Sequence, residues 1–323
     1  MKKSNIEKFI LRIVIATAFL LISVSLASAQ FPNKPITIIV PWAAGGGADI
    51  TCRMLAPKMK EILGQPVVVK NVPGAGSLLG LQALVDSKPD GYTMEFPGIS
   101  AVIAQYTSVS PIMIDQYVPV SGILNPSPTL WVNAKSNWKT LKEFIEYGKA
   151  NPGKIKNGNA GAGVIDHLYS TEFSKKTGVK FTQVPYKGWA PALTELAGGH
   201  VDSVFAAFGP AKPMEGAGKI RPLAIGSATR HSSRPDIQTM KESGVDIIMP
   251  FWESFAVPLG TPDSIIAILD DAIRKSFEDP EIQKMNKNTV DVSYIGTEEI
   301  VKLRTESNER IKILVEMVGL KRK

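Results

Sequence analysis

Cysteine is nearly missing from this chain: Cys52 is the only one in 323 residues. One thiol excludes an internal disulfide and any zinc site built from cysteines. Set among apolar neighbours in a helix-like stretch, Cys52 reads as a small buried hydrophobe. Histidine is almost as scarce, with only His167, His200 and His231 present. No HExxH or other dense run of metal ligands occurs, and no Gly-x-Ser-x-Gly turn exposes a serine nucleophile. No pair of carboxylates has a spacing that signals glycoside hydrolysis. Asp166 and His167 are adjacent, so on a helix they do not face each other as an acid–base pair. His200 and His231 fall in polar turns. These gaps argue against an enzyme, and no cofactor or metal is expected.

Long apolar runs are confined to the start of the chain. Lys2, Lys3, Lys8 and Arg12 precede "IVIATAFLLISVSLA", and Ala27 and Ala29 then supply the small residues read by a signal peptidase. Residues 1–29 are therefore expected to be a signal peptide cleaved near Ala29/Gln30, leaving a soluble, exported chain. No cysteine follows the run to carry a lipid. Loss of four basic side chains and Glu7 lowers the net charge from +7 to about +4, with no basic block. That balance offers nothing to a nucleic acid but suits small anions.

What the chain does hold is glycine placed between strands and helices. "VPWAAGGGADITCRMLAPKM" (40–59) puts three glycines between an apolar run and a helix-like stretch. Bare backbone there exposes unpaired N–H groups at the positive end of a helix dipole, a seat for an anion. The other readings are a nucleotide-phosphate loop, a catalytic turn, or a connection without a ligand. A phosphate loop needs lysine and a hydroxyl after its last glycine, and the dinucleotide fingerprint needs its third glycine in register. Neither pattern is met. Asp49, in the first turn of that helix, would repel an anion and is read as bonding the loop's own amides.

Similar units recur near residues 76 and 161. Strand candidates at 36–40, 66–71, 92–96 and in "YVPVSGIL", "TLWVNA", "VDSVFAAF", "IRPLAIGS" and "FWESFAVP" alternate with helix-like segments. This predicts an α/β fold of mainly parallel sheets flanked by helices, with ligands beyond the carboxyl ends of the strands. Helix ends are expected at Gly64 and Gly148. Pro57 should kink or shorten the first helix. Thr140 and Glu143 form a capping-box pattern, Thr261 with Pro262 opens a helix to about Phe277, and a last helix runs from about Thr297 to Val318. His167, one turn beyond the third glycine loop, is read as hydrogen-bonding and orienting that loop.

"PITIIVPWAAGGGADITCRMLAPKM", "LGQPVVVKNVPGAG", "PDGYT", "GNAGAGVIDHL", "VPYKGWAPALTELAGGHVD" and "GTPDSIIAILDDAIRKSFEDPEI" occur in that order. Together they resemble the extracytoplasmic solute-binding component of tripartite tricarboxylate transporters, the Bug-type family, over essentially the whole mature chain. The resemblance implies a two-lobed, type II periplasmic binding protein. One lobe would hold residues 30–125 and 250–323, the other the inserted residues 126–249, with two hinge crossings. It implies a non-enzymatic monomer that closes on a small organic carboxylate and presents it to membrane permease subunits; docking on a signalling receptor is the alternative role. The implied ligand-binding residues are Trp42, Ala44, Gly45, Gly46, Gly47 and Asp49 in the first loop, and Gly161, Ala162, Gly163, Val164 and His167 in the facing loop. Gly76, Ser77 and Ser100 join them, with Phe208 and Trp252 as lining aromatics. The family commonly has serine where this chain has Val164 and asparagine where it has Leu78, which suggests a drier pocket for a carboxylate with an apolar or aromatic body.

Overall fold

A computed structural model describes residues 31–320 apart from 110, 111, 126, 232 and 250. The expected signal peptide, residues 1–29, lies outside the described residues. Every helix and strand described below lies in one compact unit that begins at Pro35.

Its strands form two sheets. β1 (Ile36–Val40), β2 (Val67–Asn71), β3 (Thr93–Glu95), β4 (Tyr117–Asn125), β10 (Phe251–Pro258) and β11 (Ser293–Ile295) make the first, in the order β11-β4-β10-β3-β1-β2. β5 (Thr129–Asn133), β6 (Ile155–Asn159), β7 (Phe181–Pro185), β8 (Ser203–Ala206) and β9 (Ile220–Ile225) make the second, in the order β7-β6-β8-β5-β9. The chain leaves the first sheet after Asn125 and returns to it at Phe251. Both sheets are mixed rather than mainly parallel. β1 is parallel to β2 and β3, and β6 to β7 and β8, whereas the remaining pairs, all involving β4, β5 or β10, are antiparallel. Their apolar runs read like parallel core strands because both faces are covered by helices, and burial does not report direction. Proline marks the irregularities: Pro119 lies opposite the register shift between Phe255 and Ala256, and Pro222 opposite that between Leu130 and Trp131. A residue without an N–H fits where the ladder is already broken.

Helix α1 (Gly47–Leu63) ends as expected at Gly64, whose left-handed backbone donates to the Lys60 carbonyl at 2.9 Å. Pro57 does not shorten it. The proline is exposed, as is Arg53, whose carbonyl loses its helical partner on the wet side. α2 (Leu78–Val85), α3 (Ile99–Thr107), α4 (Leu141–Ala150) and α5 (Ile165–Thr177) follow. The Thr140–Glu143 capping box forms as expected at the start of α4. Gly148, expected to end that helix, lies inside it; a Cβ there would sit 2.8 Å from Val179, so the glycine serves close packing.

α6 (Trp189–Gly198), α7 (Phe208–Gly216), α8 (Asp263–Glu278), α9 (Pro280–Asn288) and α10 (Thr297–Val318) complete the set. Pro262, not Thr261, is the N-cap of α8, and the Thr261 hydroxyl donates to the Pro258 carbonyl instead. α7, α9 and α3 were not evident in sequence. α7 carries two prolines and two glycines, and packing against α6 overrides its poor propensity. One core runs through both sheets, joining Ile103, Val132, Phe144, Phe173, Trp252 and Ile311. α10 packs onto α5.

Candidate functional site

The carboxyl ends of β1, β3, β6 and β8 and the amino end of β10 open on one cavity between the two sheets, about 600 Å³ with the solvent at its mouth included. Five helices begin at its wall. α1 contributes Gly46, Gly47 and Ala48; α3 Gly98 and Ser100; α5 Ile165; α6 Trp189; and α7 Ala207 and Pro210. Helix N-termini present amides without intrahelical partners and carry partial positive charge. No lysine, arginine or histidine lines the cavity, so backbone alone supplies its positive potential. Glu253 is the one acidic side chain in the wall.

The first glycine loop is built to offer amides. Gly45 has φ +83°, which turns its N–H back onto Asp49 Oδ2 at 2.9 Å. The other Asp49 oxygen accepts from Arg53 Nε and Asn71 Nδ2, both at 2.9 Å, and the same Asn71 amide donates to the Trp42 carbonyl. Asp49 therefore holds the loop, as its position in the first turn suggested. Gly46 caps α1 without any side-chain bond, and the first-turn residues Gly47 and Ala48 line the cavity.

The second loop is arranged differently. Ala160 N donates to Asp166 Oδ2 at 2.7 Å, Gly161 N to Asn159 Oδ1 at 3.1 Å, and Gly163 N to His167 Nδ1 at 2.9 Å. These amides are turned onto the loop's own side chains and are not free for a ligand. His167 orients its loop as expected. Burial pushes its pKa down, which keeps Nδ1 free of a proton and able to accept. Asp166 is fully buried, and burial raises its carboxyl to about 7 against the pull of the Ala160 amide and of Trp189 Nε1, which donates to it at 3.0 Å. That last bond fixes the Trp189 ring in the cavity wall.

Hydrogen bonds cross between the sheets around the cavity. Ala43 N donates to the Lys187 carbonyl at 3.0 Å, Ile165 N to Ser100 Oγ at 3.3 Å, and Lys212 Nζ to the Lys287 carbonyl at 3.2 Å. Gly161 and Gly76 approach so closely that a Cβ on Gly161 would lie 3.7 Å from the Gly76 Cα.

Of the residues singled out in sequence, Trp42, Gly46, Gly47 and Ser100 line the cavity. Gly76, Gly161 and Ala162, again with Trp42, line a second crevice between the glycine loops. Ala44, Gly45, Asp49, Ser77, Gly163, Val164, His167, Phe208 and Trp252 line neither. Val164 is buried where the loops meet, and Leu78 packs at the Leu81–Leu84 cluster, so neither dries the main cavity directly. Phe208 is core, edge-on to Trp131 at 5.8 Å. Trp252 is buried with Nε1 donating to Ser307 Oγ at 2.9 Å. Its strand neighbours Phe251 and Glu253 line the cavity instead, because successive strand residues face opposite ways. Those two, with Asn125 and Trp189, were missed; alternation pairs 251 with 253, but nothing in the sequence says which face meets the cleft.

Residues 51–320 match the family described as tripartite tricarboxylate transporter family receptor. An uncharacterised protein from the gbd 5′ region of Cupriavidus necator is 36% identical over 316 residues, 95% of each chain. Among solved structures, the periplasmic binding protein BugD is 27% identical with TM-score 0.86, covering 91% of this chain and 100% of that one. Rpa4515 of R. palustris, solved with adipate, is 25% identical with TM-score 0.86, covering 90% and 99%.

Proposed function

The chain belongs to the tripartite tricarboxylate transporter receptor family, and from that premise we propose that it captures a small organic carboxylate between its two sheets and passes it to the permease subunits of such a transporter. Residues 30–125 with 250–323 act as one lobe and 126–249 as the other, closing on the ligand. The mature protein starts near Gln30 and works in the periplasm, as a monomer. Binding proceeds without bond-making.

One observation carries this reading: the uncapped first turn of α1 opens at Gly46, Gly47 and Ala48 into a cavity with no side-chain cation. A carboxylate placed there accepts several amide hydrogen bonds and faces the helix dipole. Adipate in Rpa4515 supports the ligand class. Trp42, Trp189, Phe251 and Pro210 give the wall apolar surface, which favours a ligand with an apolar or aromatic body. Melting the protein against a panel of aliphatic and aromatic carboxylates tests the reading. Ligand at ~100 times its Kd stabilises the folded state by about 2.7 kcal/mol, a shift of several degrees. A panel in which no acid moves the melting temperature contradicts it.

A further inference from the structure

Glu253 is out of place in a receptor for an anion. It projects from β10 into the cavity wall, 3% exposed, and its only hydrogen bond among the described residues is Oε2 accepting from Asn125 Nδ2 at 3.1 Å. Asn125, at the end of β4, also lines the cavity, and its register partner on β10 is Phe251. With its amide nitrogen turned to the carboxyl, the Asn125 side-chain oxygen is left to accept. Among the described residues, Glu253 Oε1 and Asn125 Oδ1 thus have no donor. The cavity wall has no lysine, arginine or histidine to satisfy them. Donors on a ligand would complete both.

We propose that the ligand carries a protonated nitrogen as well as its carboxylate, the carboxylate bound at the first turn of α1 and the nitrogen at Glu253 and Asn125. This rests on the carboxylate reading above and narrows the ligand class to amino-carboxylates with an apolar body. An ammonium brings up to three donors to the two acceptors and offsets the one acid in the wall. A second carboxylate in the same place holds Glu253 in its protonated form, whereas an ammonium draws it into the ionised one and gains an ion pair. The dicarboxylate held by a relative such as the adipate-bound Rpa4515 gains no ion pair at Glu253.

Two matched series test it by calorimetry on the full mature chain. One is 5-aminopentanoate, adipate and pentanoate; the other is phenylalanine, benzylmalonate and 3-phenylpropionate. Within each series an ammonium, a carboxylate or hydrogen occupies one end while the carboxylate seat is kept. The expected result is that the amino member of at least one series binds tightest, by about tenfold or more over the other two. In Glu253→Gln, which keeps the side-chain volume and the Asn125 bond, that advantage, read as the ratio of the amino member to pentanoate or 3-phenylpropionate in the same variant, falls to near parity. Melting of the free variant shows that it folds. Tighter binding of the dicarboxylate members, or an amino preference that survives Glu253→Gln, overturns the inference and leaves carboxylate binding intact. Binding by none of the six, nor by any acid in the wider panel, overturns the carboxylate reading itself and the inference with it.

Discussion

At the scale of single residues, the buried acids are the informative groups. Glu95, on β3, is fully buried with neither carboxyl oxygen hydrogen-bonded among the described residues. Burial raises its pKa well above the ordinary value, and burial likewise raises Glu253 to about 8, partly offset by the Asn125 bond. The native state therefore keeps protons that the unfolded chain gives up near pH 4.5. Their contribution is fully present below that value and is lost as pH climbs through the native pKa, so stability falls from about pH 5 to pH 8. Glu95→Met replaces an unpaired carboxyl with an apolar chain of similar length and is expected to raise stability by ~1–3 kcal/mol, more at pH 8 than at pH 5. Chemical denaturation at the two pH values checks this; a destabilised variant at both would mean that Glu95 has a partner. His167 works in the opposite sense. Its lowered pKa means that stability is lost as pH falls below about 6.5, where the unfolded imidazole takes a proton that the native Nδ1, accepting from Gly163, refuses. His167→Ala should flatten that acid limb of the melting profile.

At the scale of elements, the account depends on the start of α1. Gly47 is its first residue, and Gly46 before it has φ −77° and ψ 168°, a backbone compatible with a following proline. Proline is favoured at a first helical position, and a Cβ at Gly47 would meet the Pro210 ring at an ordinary 3.6 Å. Gly47→Pro is thus expected to melt within a few degrees of the parent while carboxylate affinity drops about tenfold, the loss of one charge-assisted bond. Unchanged affinity would move the anion seat elsewhere. Much of this element was readable beforehand. A triple glycine after β1, Asp49 in the first turn and Gly64 at the end each have one local physical reason. The bonding of Asp49 to Gly45 and of His167 to Gly163 also followed from short-range geometry. What could not be read were features set by distant partners: the direction of β4, β5 and β10, the formation of α7 despite its prolines, and the face of β10 that meets the cavity. Trp252 and Glu253 are adjacent in sequence, yet only the first sheet's packing decides which one enters the site.

At the scale of the molecule, the hydrogen bonds from Ala43 to Lys187 and from Ile165 to Ser100 join the two sheets around the cavity. If ligand drives closure by contacting both sides, these two amides gain protection from hydrogen exchange when it binds, while Val40 and Phe205, inside their sheets, do not. Equal protection with and without ligand would mean that closure needs no ligand. The most direct test is the amide spectrum of the ¹⁵N-labelled protein titrated with the carboxylate that raises melting most. The account predicts saturable downfield shifts at Gly46, Gly47 and Ala48. Saturation of the ligand with these three resonances unmoved would contradict it.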